Sequence, residues 1–272
     1  MSLKSVEKRE SINSSISEDE YSNSGTYLTI IIPAFNESQR IPKTLKEIDD
    51  YIFEQKISNQ TSVIIVNDGS TDDTSEVVEN WINKSRNNSC FSIINYSPNQ
   101  GKGYAVREGF LKANSELVFY TDADGASPIL EISKLLSCID NGYDVVCGSR
   151  ILKAEGIKVK MGFKRRFTGL IFHLILRIMG LANLSDTQCG FKLFKTFVAK
   201  KLAENQKCFG YSFDVELLYL AKKMGYKIKE ISVNWYHVEG SKINLLRDSI
   251  KMLIEVLKIR FSYKYNINEL KN

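Results

Sequence analysis

The chain has 272 residues, 43% hydrophobic and 25% charged, which is the make-up of a globular protein with a full-sized core. Its five cysteines (Cys90, Cys138, Cys147, Cys189 and Cys208) are scattered, odd in number and without a C-x-x-C pair. That argues against a disulfide framework or a cysteine zinc site and for a reducing compartment. Net charge is +5, yet residues 1–26 hold three basic and five acidic residues, so the remainder carries +7. No run approaches the ~20 apolar residues of a membrane span, and no apolar leader segment stands at the N-terminus.

Residues 1–26, rich in Ser, Asn and Glu, read as a disordered arm. From Tyr27 short apolar runs alternate with helical stretches, as in a parallel sheet with crossover helices, so the expected class is α/β. Strands are expected at Leu28–Ile32 (closed by Pro33), Val63–Val66, Phe91–Asn95, Leu117–Thr121 and Asp144–Cys147. Helices are expected from Ser38 to about Gln55, from Thr71 or Asp72 through Trp81, and after Gly103. Beyond Arg150 the pattern gives a helix at Phe163–Leu181, a strand at Phe191–Phe194, a helix at Phe213–Met224 and a strand at Ile228–Val233. A last helix, Ser241–Phe261, has Ile243, Leu246, Ile250, Leu253, Leu257 and Phe261 on one apolar face. The expected domains are residues 27–240 and a basic amphipathic segment, 241–272.

The special sequences fall at strand ends. They are Pro33-Ala-Phe-Asn-Glu37, Asn67-Asp-Gly-Ser70, Asp122-Ala-Asp-Gly125 and Gly148-Ser-Arg150. Parallel strands gather their carboxyl ends on one edge, so these sequences share one crevice. Asp122 and Asp124 lie one residue apart after an apolar strand and can converge on one cation; Mg²⁺ or Mn²⁺ suits such oxygen ligands. Asp68 can accept from a sugar hydroxyl or a base N–H, and capping of the next helix explains part of its motif. Asn99-Gln-Gly-Lys-Gly103 offers a flexible loop with one cation, Lys102. It is no P-loop, since Tyr96 and Gly103 stand where that motif needs Gly and Ser or Thr.

Asp122-Ala-Asp-Gly125 resembles the signature of haloacid-dehalogenase-type phosphatases, but the later carboxylates (Asp140, Asp144, Asp186, Asp214) are dispersed and Ala126 and Ser127 do not supply its Thr. The joint order of the motifs, with Asp186-Thr-Gln-Cys-Gly-Phe-Lys-Leu-Phe194 and Gly240-Ser-Lys242 downstream, resembles family 2 nucleotide-sugar glycosyltransferases of the GT-A fold, in the dolichyl-phosphate β-glucosyltransferase branch. The resemblance covers about Tyr27 to Phe261. It implies that Pro33, Ala34, Phe35, Glu37, Asp68, Lys102, Asp122, Ala123, Asp124 and Arg150 bind the donor, with Asp122 and Asp124 holding Mg²⁺ or Mn²⁺. Asp124 and Asp186 are the implied catalytic carboxylates, Asp186 as a base or as an orienting group. Asn67 departs from the family pattern, standing where an Asp often precedes Asp-Gly-Ser, which implies the loss of one base contact. Ala126, where polyprenol mannosyltransferases tend to carry Gln, and the glucosyltransferase-like run Asp186–Phe194 favour UDP-glucose over GDP-mannose as donor.

Between Ile157 and Ser185 stand Lys158, Lys160, Lys164, Arg165, Arg166 and Arg177 with no acidic residue; Lys242, Arg247, Lys251, Lys258, Arg260 and Lys264 follow on and after the last helix. Such one-sided charge beside apolar helices fits an anionic lipid surface, against a bland reading as solvated helix faces. Arg166, Lys192, His237 and Lys242 are the candidates for a dolichyl- or polyprenyl-phosphate acceptor. The expected setting is peripheral attachment on the cytosolic face of a membrane, with no nucleic acid as partner. A nucleotide-sugar or membrane-binding module without turnover is the remaining alternative.

Overall fold

The computed structural model describes residues 25–152, 180, 183–238 and 245–263. The expected helix Phe163–Leu181, and with it Arg166, lies outside that set apart from residue 180, as does Lys242. Seven strands form one sheet: β1 Leu28–Ala34, β2 Thr61–Asp68, β3 Phe91–Tyr96, β4 Leu117–Thr121, β5 Val145–Ser149, β6 Phe191–Lys195 and β7 Ile228–Ser232. Their spatial order is β3-β2-β1-β4-β6-β5-β7. The helices are α1 Ile41–Glu54, α2 Thr74–Lys84, α3 Lys102–Lys112, α4 Ile132–Asp140, α5 Thr196–Asn205, α6 Phe213–Met224 and α7 Leu245–Ser262.

Two hydrophobic layers sandwich the sheet because alternate strand residues point to opposite faces. Ile30, Ile32, Ile65, Phe119 and Leu193 pack with α1, α2 and α4. Ile31, Val66, Val118, Tyr120 and Phe194 pack with α3, α5, α6 and the inner side of α7. Central strands are therefore buried on both sides and read as continuous apolar runs. All five cysteines are free thiols.

One strand runs against the rest. β6 pairs antiparallel with both β4 and β5, and Thr121 lies opposite Phe191. The other strands are parallel to one another where they pair. The carboxyl end of β4 thus meets the beginning of β6, and Cys189-Gly190 is delivered beside Asp122. The first strand continues through Pro33 to Ala34, opposite Val66 and Asn67. Its pairing with β4 stops at Ile31, so the missing Pro33 N–H leaves no gap in that ladder. Helix α1 begins at Ile41 with Pro42 in its first turn, where a missing N–H is harmless. Ser38 does not cap it; the Ser38 N–H donates to Asp72 instead.

Lys192 is fully buried on β6, which corrects its assignment as an acceptor contact. Its Nζ donates to Asp214 (2.6 Å), the Cys189 carbonyl (2.6 Å) and the Tyr120 hydroxyl (3.0 Å), while Tyr120 also donates to Asp214. Burial, then the Asp214 charge, pushes the Tyr120 hydroxyl well above its ordinary pKa, so it stays a donor. Removing one partner of such a buried ion pair strands a charge, at a cost of about 3–5 kcal/mol. Lys192→Met or Asp214→Leu alone should lower the urea midpoint sharply, and the double variant should recover much of the loss.

Candidate active site

The candidate site is assembled from strand ends that clip one another. Asn36, just past β1, adopts φ 53°, a left-handed conformation that Asn tolerates. Its Oδ1 accepts from the Thr71 N–H (2.7 Å) and the Asp72 N–H (3.3 Å), and its own N–H donates to Ser70 Oγ (2.8 Å). The Glu37 N–H donates to Thr74 Oγ1 (2.8 Å). These bonds delay α2 to Thr74 and lock the Pro33–Glu37 segment to the loop after β2. Phe35 is exposed at the rim, while Ala34 is buried. The Glu37 carboxylate is forked by Arg40 (2.7 and 2.5 Å), a cation that sequence reasoning passed over.

Asp68 holds a loop. Nearly fully buried, it accepts from the N–H groups of Gln100 (2.8 Å) and Gly101 (2.9 Å) and from Asn99 Nδ2 (2.7 Å). That fixes residues 99–101 over the end of β2. Gly101 has φ 105°, and a Cβ there would stand 2.3 Å from the Phe209 carbonyl oxygen, so only glycine fits. Lys102 follows at the first turn of α3 and reaches across to form an ion pair with Asp122. Burial alone would lower the Lys102 pKa; the charges of Asp122 and Asp214 outweigh it and hold the ammonium above its ordinary range.

Asp122 and Asp124 stand at the end of β4 on a turn made by Gly125 (φ 65°). The Ala123 carbonyl accepts from Thr44 Oγ1 (2.8 Å), tying the turn to α1. The Asp124 carboxylate accepts the Ala126 N–H (3.0 Å). Burial first, and then the Asp122 charge, raises the Asp124 pKa against the opposing pull of the Ala126 N–H, Arg40 and Lys102. Asp122 is seated on the chain before β6. Its N–H donates to the Gly190 carbonyl (3.1 Å), and a Cβ on Gly190 would stand 2.2 Å from its Oδ1. Two carboxylates in mutual repulsion, one partly open, suit a hard divalent cation that takes its other oxygens from water and phosphate. Among the described residues no cluster of three His, Cys, Asp or Glu side chains could encage a metal without such outside ligands.

Arg150 and Asp186 form a bidentate pair (2.7 and 2.8 Å), and the Arg150 N–H also donates to Asp186 (3.0 Å). Burial would raise the Asp186 carboxyl, but the Arg150 charge and hydrogen bonds prevail and hold it below the usual range. A buried, hydrogen-bonded carboxylate with a depressed pKa is a poor proton acceptor. Of the two roles the sequence left open for Asp186, this pairing suits the orienting one. Arg150 in turn faces Trp235, 5.9 Å from its ring centroid. The Tyr236 N–H donates to the Ala126 carbonyl (2.8 Å), which sets exposed His237 next in line beside the Asp-Ala-Asp turn.

The Glycosyl transferase family 2 model matches residues 29–203. The chain belongs to that family. It is 38% identical to a dolichyl-phosphate beta-glucosyltransferase of Trichomonas vaginalis over 89% of its length and 75% of that protein's. Enzymes of the same name from Dictyostelium discoideum and Saccharomyces cerevisiae are 33% and 35% identical, over 90% and 89% of this chain and 77% and 76% of theirs. The fold matches glucosyl-3-phosphoglycerate synthase of Mycobacterium tuberculosis, solved with Mn²⁺, UDP and phosphoglyceric acid, at TM-score 0.64 and 18% identity over 91% and 82% of the two chains. Membership sets the phosphatase reading aside.

Asn36, Arg40, Gly190, Asp214 and Tyr120 were not singled out from sequence. Asn36 and Gly190 carried a signal, being an Asn and a Gly beside strand ends; the others act only through long-range contacts. Asp124→Asn relieves the repulsion within the pair. A raised Asp pKa means the ionised form costs stability, so the metal-free variant should melt above wild type at pH 7. That advantage should shrink as pH falls through the raised pKa and Asp124 protonates. Added Mn²⁺ with UDP should raise the melting temperature of wild type and not of the variant. Gly190→Ala should cost on the order of 10² in turnover by displacing Asp122 about 1 Å, with a small change in melting temperature.

Proposed function

We propose that the protein transfers glucose from UDP-glucose to dolichyl phosphate or a related polyprenyl phosphate, inverting the anomeric centre to give a β-linked lipid-phosphate sugar. The observation that carries this reading is the Asp122–Lys102 pair with Asp124 two residues on, at the carboxyl end of β4. It stands in a chain 38% identical to a dolichyl-phosphate beta-glucosyltransferase. The solved neighbour with Mn²⁺ and UDP-glucose, at TM-score 0.61, supports a donor of that kind.

Asp122 and Asp124 would hold Mg²⁺ or Mn²⁺, which supplies Lewis-acid neutralisation of the donor diphosphate. Lys102 adds a fixed positive charge at the first turn of α3, whose N-terminus itself favours anions. Phe35 and the Pro33–Glu37 segment form the nucleotide side of the crevice, and Asp68 fixes the loop that carries Lys102. The acceptor nucleophile is a phosphate monoester oxygen, largely ionised at neutral pH given a second pKa of about 6. It attacks C1 as the bond from C1 to the UDP oxygen breaks, and no proton need be removed. That is consistent with Asp186 being tied to Arg150 instead of standing ready as a base. His237 lies on the acceptor side, with Arg166 and Lys242 as proposed countercharges.

The lipid acceptor and the basic stretches at 158–177 and 242–264 support action at an anionic membrane surface. The free thiols support its cytosolic face. No described helix is long and apolar enough to cross a membrane. With labelled UDP-glucose and dolichyl phosphate, chromatography should show label in a lipid product whose formation EDTA abolishes. Asp186→Asn should lower turnover without moving the acid side of the pH profile, where a general base would titrate, as expected of an orienting group. Label found only in water-soluble glucose, or transfer only from GDP-mannose, would overturn the substrate pair.

A further inference from the structure

Helix α7 carries two opposed apolar stripes. Val256, Ile259 and Tyr263 are buried in the core layer beside α6. Ile254, Leu257 and Phe261 are 48%, 39% and 62% exposed. At about 100° per residue the stripes are centred roughly 160° apart, and Lys258 and Arg260 fall on either side of the outward one. Both cations are exposed. Leu257 and Phe261 belong to the face that the sequence marks as apolar, and the structure turns them away from the body of the protein.

The same helix is fastened to the candidate site. Glu255 accepts the Ser212 N–H (3.2 Å) and the Cys208 thiol (3.7 Å). The Tyr263 hydroxyl lies 2.6 Å from both the Asn205 carbonyl and the Glu216 carboxylate. Glu216 accepts the N–H groups of Lys207 (3.0 Å) and Cys208 (2.7 Å). Residues 206–212 are thereby held from below, and they in turn hold the Gly-Lys-Gly loop. The Gly103 N–H donates to the Phe209 carbonyl (2.9 Å), and Gln206 Nε2 donates to the Gly103 carbonyl (3.0 Å). Lys102, between those glycines, is the partner of Asp122.

We infer that the outward stripe of α7 docks on an anionic bilayer surface, and that docking steadies residues 206–212 and through them the Lys102–Asp122 pair. An apolar stripe bordered on both sides by cations is the pattern of a helix lying in the headgroup region. Charge selects this occupant over a second copy of the chain. Glu255, the one carboxylate among residues 254–263, is turned to Ser212, so two like stripes meeting across a two-fold axis would set cation against cation. Anionic headgroups answer both cations. The inference rests on the lipid-acceptor reading for its purpose, but its test does not need turnover.

Full-length protein is floated with phosphatidylcholine vesicles with and without phosphatidylserine, as wild type and as the triple variant Ile254→Ser, Leu257→Ser, Phe261→Ser. Wild type should float with the anionic vesicles. The triple variant should float roughly tenfold less or worse, since each buried apolar side chain contributes substantially to partitioning. Its melting temperature and UDP affinity should be unchanged. Hydrogen exchange at the amides of residues 101–103 and 207–212 should slow on vesicle binding in wild type alone. Equal flotation of the two proteins, or a stripe-dependent dimer on size-exclusion chromatography without flotation, would overturn the docking face. Flotation without slowed exchange would overturn the coupling. Flotation with no glucosyl transfer would count against the proposed reaction and leave the docking face intact.

Discussion

The Asp122 carboxylate rests against main chain. Where Gly190 stands, any Cβ would lie 2.2 Å from its Oδ1, and the Asp122 N–H is bonded to the carbonyl of that same glycine. This contact exists because β6 runs antiparallel to β4 and brings its first residues to the edge where the parallel strands end. The chain before β6 is itself held from within, since Lys192 grips the Cys189 carbonyl while paired with Asp214. A buried ion pair in the sheet, one glycine and one reversed strand therefore decide where Asp122 stands.

Charge is distributed with the same economy. Asp186 is matched by Arg150, Asp214 by Lys192 and Asp122 by Lys102. The Asp124 carboxyl is pushed upward, by burial and then by its neighbour Asp122. A site that stores such repulsion favours an incoming cation more than one whose carboxylates are already satisfied. Asp186 follows the opposite logic, since its charge is met by Arg150, as the proposed attack by an already ionised phosphate would allow.

Much of this was legible in the sequence. β4 and α6 lie where the sequence pattern placed them, Leu117–Thr121 and Phe213–Met224, because apolar-rich runs are local signals. The convergence of the strand-end motifs followed from parallel topology alone. The direction of β6 was not legible, since Phe191–Lys195 has the same composition whichever way it runs. Helices α4 and α5 were not expected; they are only nine and ten residues long, too short for a strong periodic signal. Lys192 was misplaced because a lysine in a sequence looks like surface, and its partners Tyr120 and Asp214 lie 72 and 22 residues away. Asp68 was correctly placed at the edge, but its grip on residues 99–101 depends on a loop whose path no local pattern sets.

The central claim is that Asp122 and Asp124 jointly form a divalent-metal site completed by the donor diphosphate. Electron paramagnetic resonance of Mn²⁺ titrated with the protein measures this without requiring turnover. UDP should convert free Mn²⁺ to a bound, broadened signal in the wild-type protein, and the conversion should be lost in Asp122→Asn and Asp124→Asn. Equal Mn²⁺ binding by all three proteins in the presence of UDP would contradict it.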